Sequence, residues 1–359
     1  MPTEIPKNLF DYLVHEQISS GRYASQQVAS IVSLLNQADK DIIAKIQAHG
    51  KNGTFTAYRL KSLLKEIKQT IDDAYWEMEK QLHEEMGGYA LHVAETTTAM
   101  FAAQIPVKFS FVGLSDEQLA AIIDKTPISV GKDKKLLLEE IFQSIAAGKE
   151  EAIRGALRLG MVEGESVPEM VRRLIGTKAN RYTDGIMESS RRAAEAIVRT
   201  TVIHTGNQAT QQTYLNNADV LKGWIYVATL DSRTCPVCFS DSGKTFPLKS
   251  GPVPPRHINC RCFSAPQIKT WKELGIDMEE LPPSYRASKN GPVKSDISFD
   301  DWLRGQDTAT QVELLGKTRA KLFADGGLKL DKLTDASGKL YTLDTLKQTQ
   351  KAAFDKAFS

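Results

Sequence analysis

Five metal-ligand side chains fall within 28 positions of a 359-residue chain: Cys235, Cys238, His257, Cys260 and Cys262. All four cysteines of the protein are among them, spaced as Cys235-Pro-Val-Cys238 and then His257-Ile-Asn-Cys260-Arg-Cys262. A CxxC turn lets both sulfurs face one ion, and Pro236 restrains the backbone so that less entropy is lost on ordering. His257 and Cys260 repeat the three-residue step from the other side. Thiolates with a neutral imidazole suit tetrahedral zinc, and carboxylates are not needed. Five donors compete for about four positions. The expected set is Cys235, Cys238 and His257 with one of Cys260 or Cys262, and the spacing does not choose between those two.

Two other uses of cysteine fit less well. Ordinary buried thiols would be dispersed along the chain, and a secreted disulfide framework would be preceded by an apolar signal segment. The N-terminus reads Met1-Pro-Thr-Glu-Ile-Pro, without such a segment. A Cys260–Cys262 disulfide would close a very small, strained loop. Catalytic zinc sites keep three protein ligands, an open position and a nearby base. Here the ligands suffice to close the shell, and the nearest acids, Asp231 and Asp241, stand in turn-like contexts. The chain has no GxxxxGK[ST], GxSxG or HExxH motif. Glu77 with Glu79, and Glu163 with Glu165, are isolated acid pairs. The expectation is a structural zinc, no catalytic residues and no enzyme.

The elements around the ligands read as a small β module. Trp224–Leu230 is rich in β-branched and aromatic residues and predicts a strand. Ser242-Gly243 predicts a turn before Lys244-Thr-Phe246, and Pro252–Pro255 an extended connector to His257. A segment this short needs a staple, which the metal would supply.

Elsewhere the pattern is helical. Val28, Ile31, Leu35, Ile42 and Ile46 predict a helix over about 23–48, ended by Gly50, Asn52 and Gly53. Leu60, Leu64, Ile67, Ile71, Tyr75, Met78 and Leu82 predict a longer one, read as an amphipathic core helix, with Gly87-Gly88 set to kink or end it. Residues 106–114 predict a short strand or extended link. Helix resumes after Ser115 and over about 135–160, and Ser166 with Glu169 matches a capping box. Tyr182–Asn216 predicts a long helix whose polar face holds His204, Asn207, Gln208, Gln211 and Gln212. His204 is read as a surface or satisfied histidine. Trp271–Leu281 predicts a short helix, Ser288–Pro292 a linker, and the last 60 residues helix again.

The fold class expected is therefore mainly α, with a zinc-stapled β module near 224–266, α+β in all. Hydrophobic residues at 41% and charged residues at 25% are ordinary globular values. A net charge of +2 gives no global argument for nucleic acid. Between 231 and 266 five cations stand against two carboxylates, a modest basic patch whose default reading is a solvated rim. No apolar stretch is long enough to span a bilayer, so no membrane partner is expected.

The stretches Asp231-Ser-Arg-Thr-Cys-Pro-Val-Cys238, Ser242-Gly-Lys244 and Pro254-Pro-Arg-His-Ile-Asn-Cys-Arg-Cys262 resemble the phage Mu F-like minor head protein, or head-morphogenesis, family. The match includes Arg233, Gly243, Lys244, Asn259 and Arg261, which are not ligands, and departs from the family only in Asp241-Ser242 before Gly243. Arg192–Thr200 with Gly206-Asn207, and Gly164–Gly176, are similar to the family's upstream helices. Trp302–Gln306, Gln311 and Leu315–Phe323 resemble a tail found in some members, so that the likeness spans about 135–345. Taken with the general helicity of the first 130 residues, which carry no motif of the family, it suggests four regions: N-terminal helical 1–134, helical head-morphogenesis 135–223, zinc module 224–266, and linker with helical tail 267–359. It also implies a minor capsid protein of a tailed phage or prophage, assembled in the host cytoplasm. Its place would be the capsid interior near the portal vertex, supporting assembly, packaging or delivery of DNA. Its partners would be the portal protein, then capsid or scaffolding proteins, with packaged double-stranded DNA reached through Arg256, Arg261 and Lys244. The alternatives are a DNA-binding zinc module and a zinc-dependent nuclease or hydrolase.

Overall fold

Apolar residues at three- and four-residue steps need a helix to bring them to one side. In the computed structural model, which describes residues 9–50, 56–105, 107, 109–131, 134–278, 285–288, 291–294, 297–335 and 340–359, they do so. Helix α1 runs Leu9–Gly50 and α2 Ala57–Gln104. Ala24, Val28, Ile31, Leu35, Ile42 and Ile46 are buried on α1, and Leu60, Ile67, Ile71, Tyr75, Met78 and Leu82 on α2. Leu63 rather than Leu64 completes the second stripe. Asn52 and Gly53, predicted breakers, lie outside the described residues. Gly87-Gly88 neither kinks the sequence out of helix nor ends it, because Met86, Tyr89 and Ala90 around it are buried. One buried methionine contributes about 1.5–3 kcal/mol, against about 1 kcal/mol for each helical glycine.

The chain divides into two compact units, each assembled from separated stretches. The first comprises Ser20–Ala90 and Leu119–Thr205. It holds α1 from Ser20 to its end, most of α2, the greater part of α3 (Asp116–Asp124), and the short antiparallel pair β1 (Ile128–Ser129) and β2 (Lys135–Leu136). It also holds α4 (Leu138–Glu163), α5 (Val167–Ile175) and the first two thirds of α6 (Ile186–Asn216). The predicted capping box opens α5, where the Glu169 carboxylate accepts from the Ser166 amide at 2.7 Å and from its hydroxyl at 2.6 Å. A buried ion pair crosses this unit, Lys149 Nζ on α4 to Asp39 Oδ1 on α1 at 2.5 Å.

The second unit comprises the described residues up to Ser19, then Leu91–Gln118 and Gly206–Ser359. Its centre is a three-stranded antiparallel sheet in the order β4-β3-β5, from β3 (Leu221–Val227), β4 (Thr245–Phe246) and β5 (Phe263–Ile268). Trp224 pairs with Phe246 on one side and Pro266 on the other, and Val227 with Phe263. Helix α7 (Pro236–Asp241) lies between β3 and β4. Of the short strand or extended link expected at 106–114, no strand forms among the described residues there. Trp271–Gly275 turns without becoming a helix, and Leu281 lies outside the described residues. The stretch read as a linker is a hairpin, β6 (Tyr285–Ser288) against β7 (Gly291–Lys294), with its turn residues outside those described.

The tail is helical as expected: α8 (Phe299–Arg304), α9 (Thr308–Leu315), α10 (Lys317–Ala324), α11 (Leu343–Thr349) and α12 (Lys351–Phe358). Phe299, Trp302, Leu322 and Phe323 form its core, joined by Leu230 and Phe239. The protein is thus mainly helical with a small antiparallel sheet module. Among the described residues no helix is long and apolar enough to cross a membrane.

Candidate metal centre

Cys235 is the N-cap of α7, with Pro236 at its first helical position, where a missing amide hydrogen costs nothing. The helix then turns Cys238 back toward Cys235, so CxxC is a cap and the first turn of a helix. The other donors arrive on the loop between β4 and β5. Asn259 takes a left-handed φ of 60° there, turning the chain between His257 and Cys260. Gly243, at φ 83°, makes the predicted turn, and its amide donates to the Tyr226 carbonyl at 2.8 Å.

The structure brings all five predicted donors together. Cys235, Cys238 and His257 form one triad and Cys238, Cys260 and Cys262 another, each with its ligand atoms within 4.8 Å of one another, sharing the Cys238 sulfur. His257 Nε2 lies 3.0 Å from Cys235 Sγ and 3.4 Å from Cys238 Sγ, and the Cys238 and Cys260 sulfurs are 3.7 Å apart. Bond lengths of about 2.3 Å to sulfur and 2.0–2.1 Å to nitrogen give tetrahedral edges of about 3.8 Å between sulfurs and about 3.6 Å from sulfur to nitrogen. Two observed edges agree to within a few tenths of an ångström, and Cys235 would need to withdraw by about half an ångström. The residues fit a tetrahedral thiophilic ion.

The imidazole is already oriented for that role. Its Nδ1 lies 2.8 Å from the Ile258 carbonyl, to which it donates, and this turns Nε2 toward the sulfurs. Tyr226, fully buried, donates its hydroxyl to Cys238 Sγ at 3.3 Å. Burial, and then the neighbouring thiolates, push that phenol well above its ordinary value, so it stays a donor.

Charge in the cluster is unevenly shared. Hydrogen bonding from Cys238, and then from His257, draws Cys235 down to about 5 in spite of its burial. Hydrogen bonds to Cys238 and Cys262 likewise lower Cys260, while Cys238, bonded to Cys235 and Cys260, is raised. Hydrogen bonding to Cys235 and then to Cys260 pushes His257 up to about 11. Thiolates packed this closely need compensating positive charge, from retained protons or from a dication that displaces them. Cys260 bonds to both Cys238 and His257, whereas Cys262 is enclosed by Cys238, Cys260 and Tyr226.

Residues between the ligands brace the two halves of the loop. Asp231, ahead of Cys235, receives a bidentate pair from Arg261, which stands between Cys260 and Cys262, at 2.6 and 2.7 Å. Burial opposes its ionisation, but Arg261 holds the carboxyl below the usual carboxylate range. Asp241, at the end of α7, receives Arg256 at 2.5 Å and Lys244 at 3.2 Å. The three cations that the sequence offers to DNA are thus each paired with a carboxylate. Both acids near the ligands are likewise engaged by arginine.

The module does not stand alone as a stapled knob. Trp224, fully buried, stacks on Phe246 with centroids 4.9 Å apart and donates Nε1 to the Ser250 carbonyl at 3.0 Å. Cys238, Cys260 and Cys262 share one core with Met100 and Phe101 of α2 and Tyr214 of α6. Polar side chains tie the helices to the ligand-bearing strand. Asn207 accepts from the Ser264 amide at 3.1 Å and donates to the Cys262 carbonyl at 3.3 Å. Gln17 of α1 donates to the Arg261 carbonyl at 2.6 Å, and Tyr214 to that of Ser264 at 3.0 Å. Sequence reasoning missed these anchors. The run of amides in α6 was the available signal, since a polar helix face can also be a buried face with its partners supplied.

A search of curated proteins and a search of solved structures each return no match. Residues 151–265, from within α4 to within β5 and including all five donors, match the family model described as Phage Mu protein F like protein, so over that stretch the chain is similar to the Mu F-like head-morphogenesis proteins.

Proposed function

We propose that this chain, Mu F-like and so of the phage head-morphogenesis kind, is a minor component of the head of a tailed phage or prophage. In this reading it sits inside the capsid near the portal and supports assembly, packaging or delivery of the genome. Cys235, Cys238, His257 and Cys260 hold one zinc ion, which supplies cross-linking and charge neutralisation. The observation that carries the reading is the convergence of all five donors inside the family-matched stretch, cross-braced by the Asp231–Arg261 and Asp241–Arg256 pairs.

A structural rather than catalytic metal is supported by the donor count, which fills a tetrahedral shell. Asp231 and Asp241 could act as bases for a hydrolase only after losing their arginines. A knuckle that grips DNA through Arg256, Arg261 and Lys244 would share these cations with Asp231 and Asp241, whose carboxylates lower the net charge offered to a phosphate.

Cross-linking mass spectrometry on intact particles of the encoding phage, quantified against the major capsid protein, tests the reading. Low copy number with cross-links to the portal is expected. Absence from both particles and assembly intermediates would overturn it.

A further inference from the structure

The connection between α5 and α6 is far more elaborate than a link requires. Sequence periodicity predicts helix from Tyr182 onward, yet α6 begins at Ile186, and residues 177–184 form a closed surface loop. Its lock is the Asp184 carboxylate, which accepts from the Thr177 amide at 2.8 Å, the Thr177 hydroxyl at 2.8 Å and Asn180 Nδ2 at 2.9 Å. The Tyr182 amide closes back on the Thr177 carbonyl at 2.8 Å, and the Thr183 hydroxyl on that of Asn180 at 2.8 Å.

Two glycines make the closure possible. At Gly185 a Cβ would stand 2.2 Å from the Ile175 carbonyl oxygen, and at Gly176, with φ 95°, it would stand 2.7 Å from Asp184 Oδ1. Within the loop Arg181 and Tyr182 occupy the left-handed region in succession, at φ 51° and 63°. Neither is a glycine, and consecutive residues in that region are sterically disfavoured. Residues 178–184 are all exposed, so the strain is not compensated by core burial. What the geometry achieves is to hold Lys178, Arg181 and Tyr182 outward on a fixed frame. No described residue pairs with these side chains. Asp184, the nearby anion, is turned into the loop.

We infer that the loop Thr177–Asp184 is a preformed contact for the phosphate backbone of DNA, made through Lys178, Arg181 and the Tyr182 hydroxyl. All three are donor types that protein–DNA interfaces direct at phosphate oxygens. Beside the half-exposed Tyr182 ring, Ala179 is the one apolar side chain in the loop, too little to build the apolar centre of a protein interface. Only the choice of DNA as the polyanion rests on the head-protein reading. The contact is distinct from the knuckle arginines, whose charge is already engaged.

The test is fluorescence anisotropy of a labelled DNA duplex with the full chain across a salt series. Lys178→Gln/Arg181→Gln is expected to weaken binding about tenfold or more near 0.1 M salt. It should also reduce the log–log salt slope by about 2, since each phosphate that is no longer neutralised takes away about 0.9. The charge-matched control Lys61→Gln/Lys65→Gln, on an exposed part of α2, should leave the slope close to that of the parent. Lys178→Arg/Arg181→Lys should retain the slope, which separates charge from loop damage. An unchanged slope in Lys178→Gln/Arg181→Gln, or an equal fall in the control, overturns the inference. So does normal DNA binding by that variant combined with its loss from heads, which would mark the loop as a protein contact. Particle copy number tests the head assignment separately, so either can fail alone.

Discussion

His204 lies on the polar face of α6, where it reads as a surface or satisfied side chain, and the structure buries it to 5% exposure. Its Nε2 is 3.2 Å from the Thr126 carbonyl, to which it donates, so the second proton would have to enter at a buried Nδ1. Burial, with Lys135 adding repulsion, lowers its pKa from 6.5 to about 4, although the Thr126 carbonyl works the other way. The group is neutral when folded. Between about pH 6.5 and 4 the unfolded chain therefore binds the extra proton and the folded chain does not, and stability falls as pH falls. The full gap is worth about 3.4 kcal/mol, and about 2 kcal/mol of it is lost between pH 7 and pH 5. Urea unfolding followed by far-UV circular dichroism at pH 7, 6 and 5 measures that loss. Other groups titrate in the same window, so the informative quantity is the difference from His204→Gln, which can keep a donor to Thr126 without titrating. The variant should be less stable at pH 7 yet lose about 2 kcal/mol less on going to pH 5. Parallel pH profiles for the two proteins would refute the argument.

Three other outcomes follow from named contacts. Asp231→Asn removes the charge that fixes Arg261 between Cys260 and Cys262, and should weaken zinc affinity about tenfold or more; competition with a chromophoric chelator would show this, and unchanged affinity would discard the brace. In the same assay Cys260→Ser should lose the tightly held ion while Cys262→Ser keeps it, and the reverse order would exchange their roles. Lys149→Met leaves Asp39 buried without its partner and should cost about 3–5 kcal/mol, most of it restored in Lys149→Met/Asp39→Leu, as read by equilibrium unfolding.

The Cys/His cluster was legible because its information is local. Ligand spacing in CxxC and HxxCxC survives whatever surrounds it, and the same holds for the Ser166–Glu169 box. The stripes of α1 and α2 were legible because burial follows the helical period. What escaped depends on partners distant in sequence. Asn207 is buried because the amide of Ser264 and the carbonyl of Cys262 meet it, 57 and 55 positions away. Nothing in the run His204–Gln212 announces them. The loop before α6 escaped for another reason. Tyr182 to Gly185 continues a helical pattern, and only the close approach of Gly185 to Ile175 and the Asp184 lock reveal that the chain is doing something else. Asp231 was correctly placed in a turn-like bend, whereas Asp241 ends helix α7, and the arginine partner of neither can be assigned without the fold.

The shared core changes what metal loss should do. A free-standing knuckle would unravel between 224 and 266 and leave every helix as it was. Here the Cys238, Cys260 and Cys262 side chains pack in one cluster with Met100, Phe101, Tyr214, Trp224 and Tyr226. The Asn207 and Tyr214 hydrogen bonds both end on residues 262–264. Releasing the ligands from one another frees the segment that supplies those acceptors, so the helix ends that lean on it lose partners too. Chelation of the metal, or Cys238→Ser, is therefore expected to lower hydrogen-exchange protection in 206–217 and 91–105 together with 224–266. Helix within 20–90 and 138–175, which belongs to the other compact unit, should keep its protection. Loss confined to 224–266 would show that the helices hold without the module. Unchanged protection and proteolytic resistance throughout would refute a structural metal.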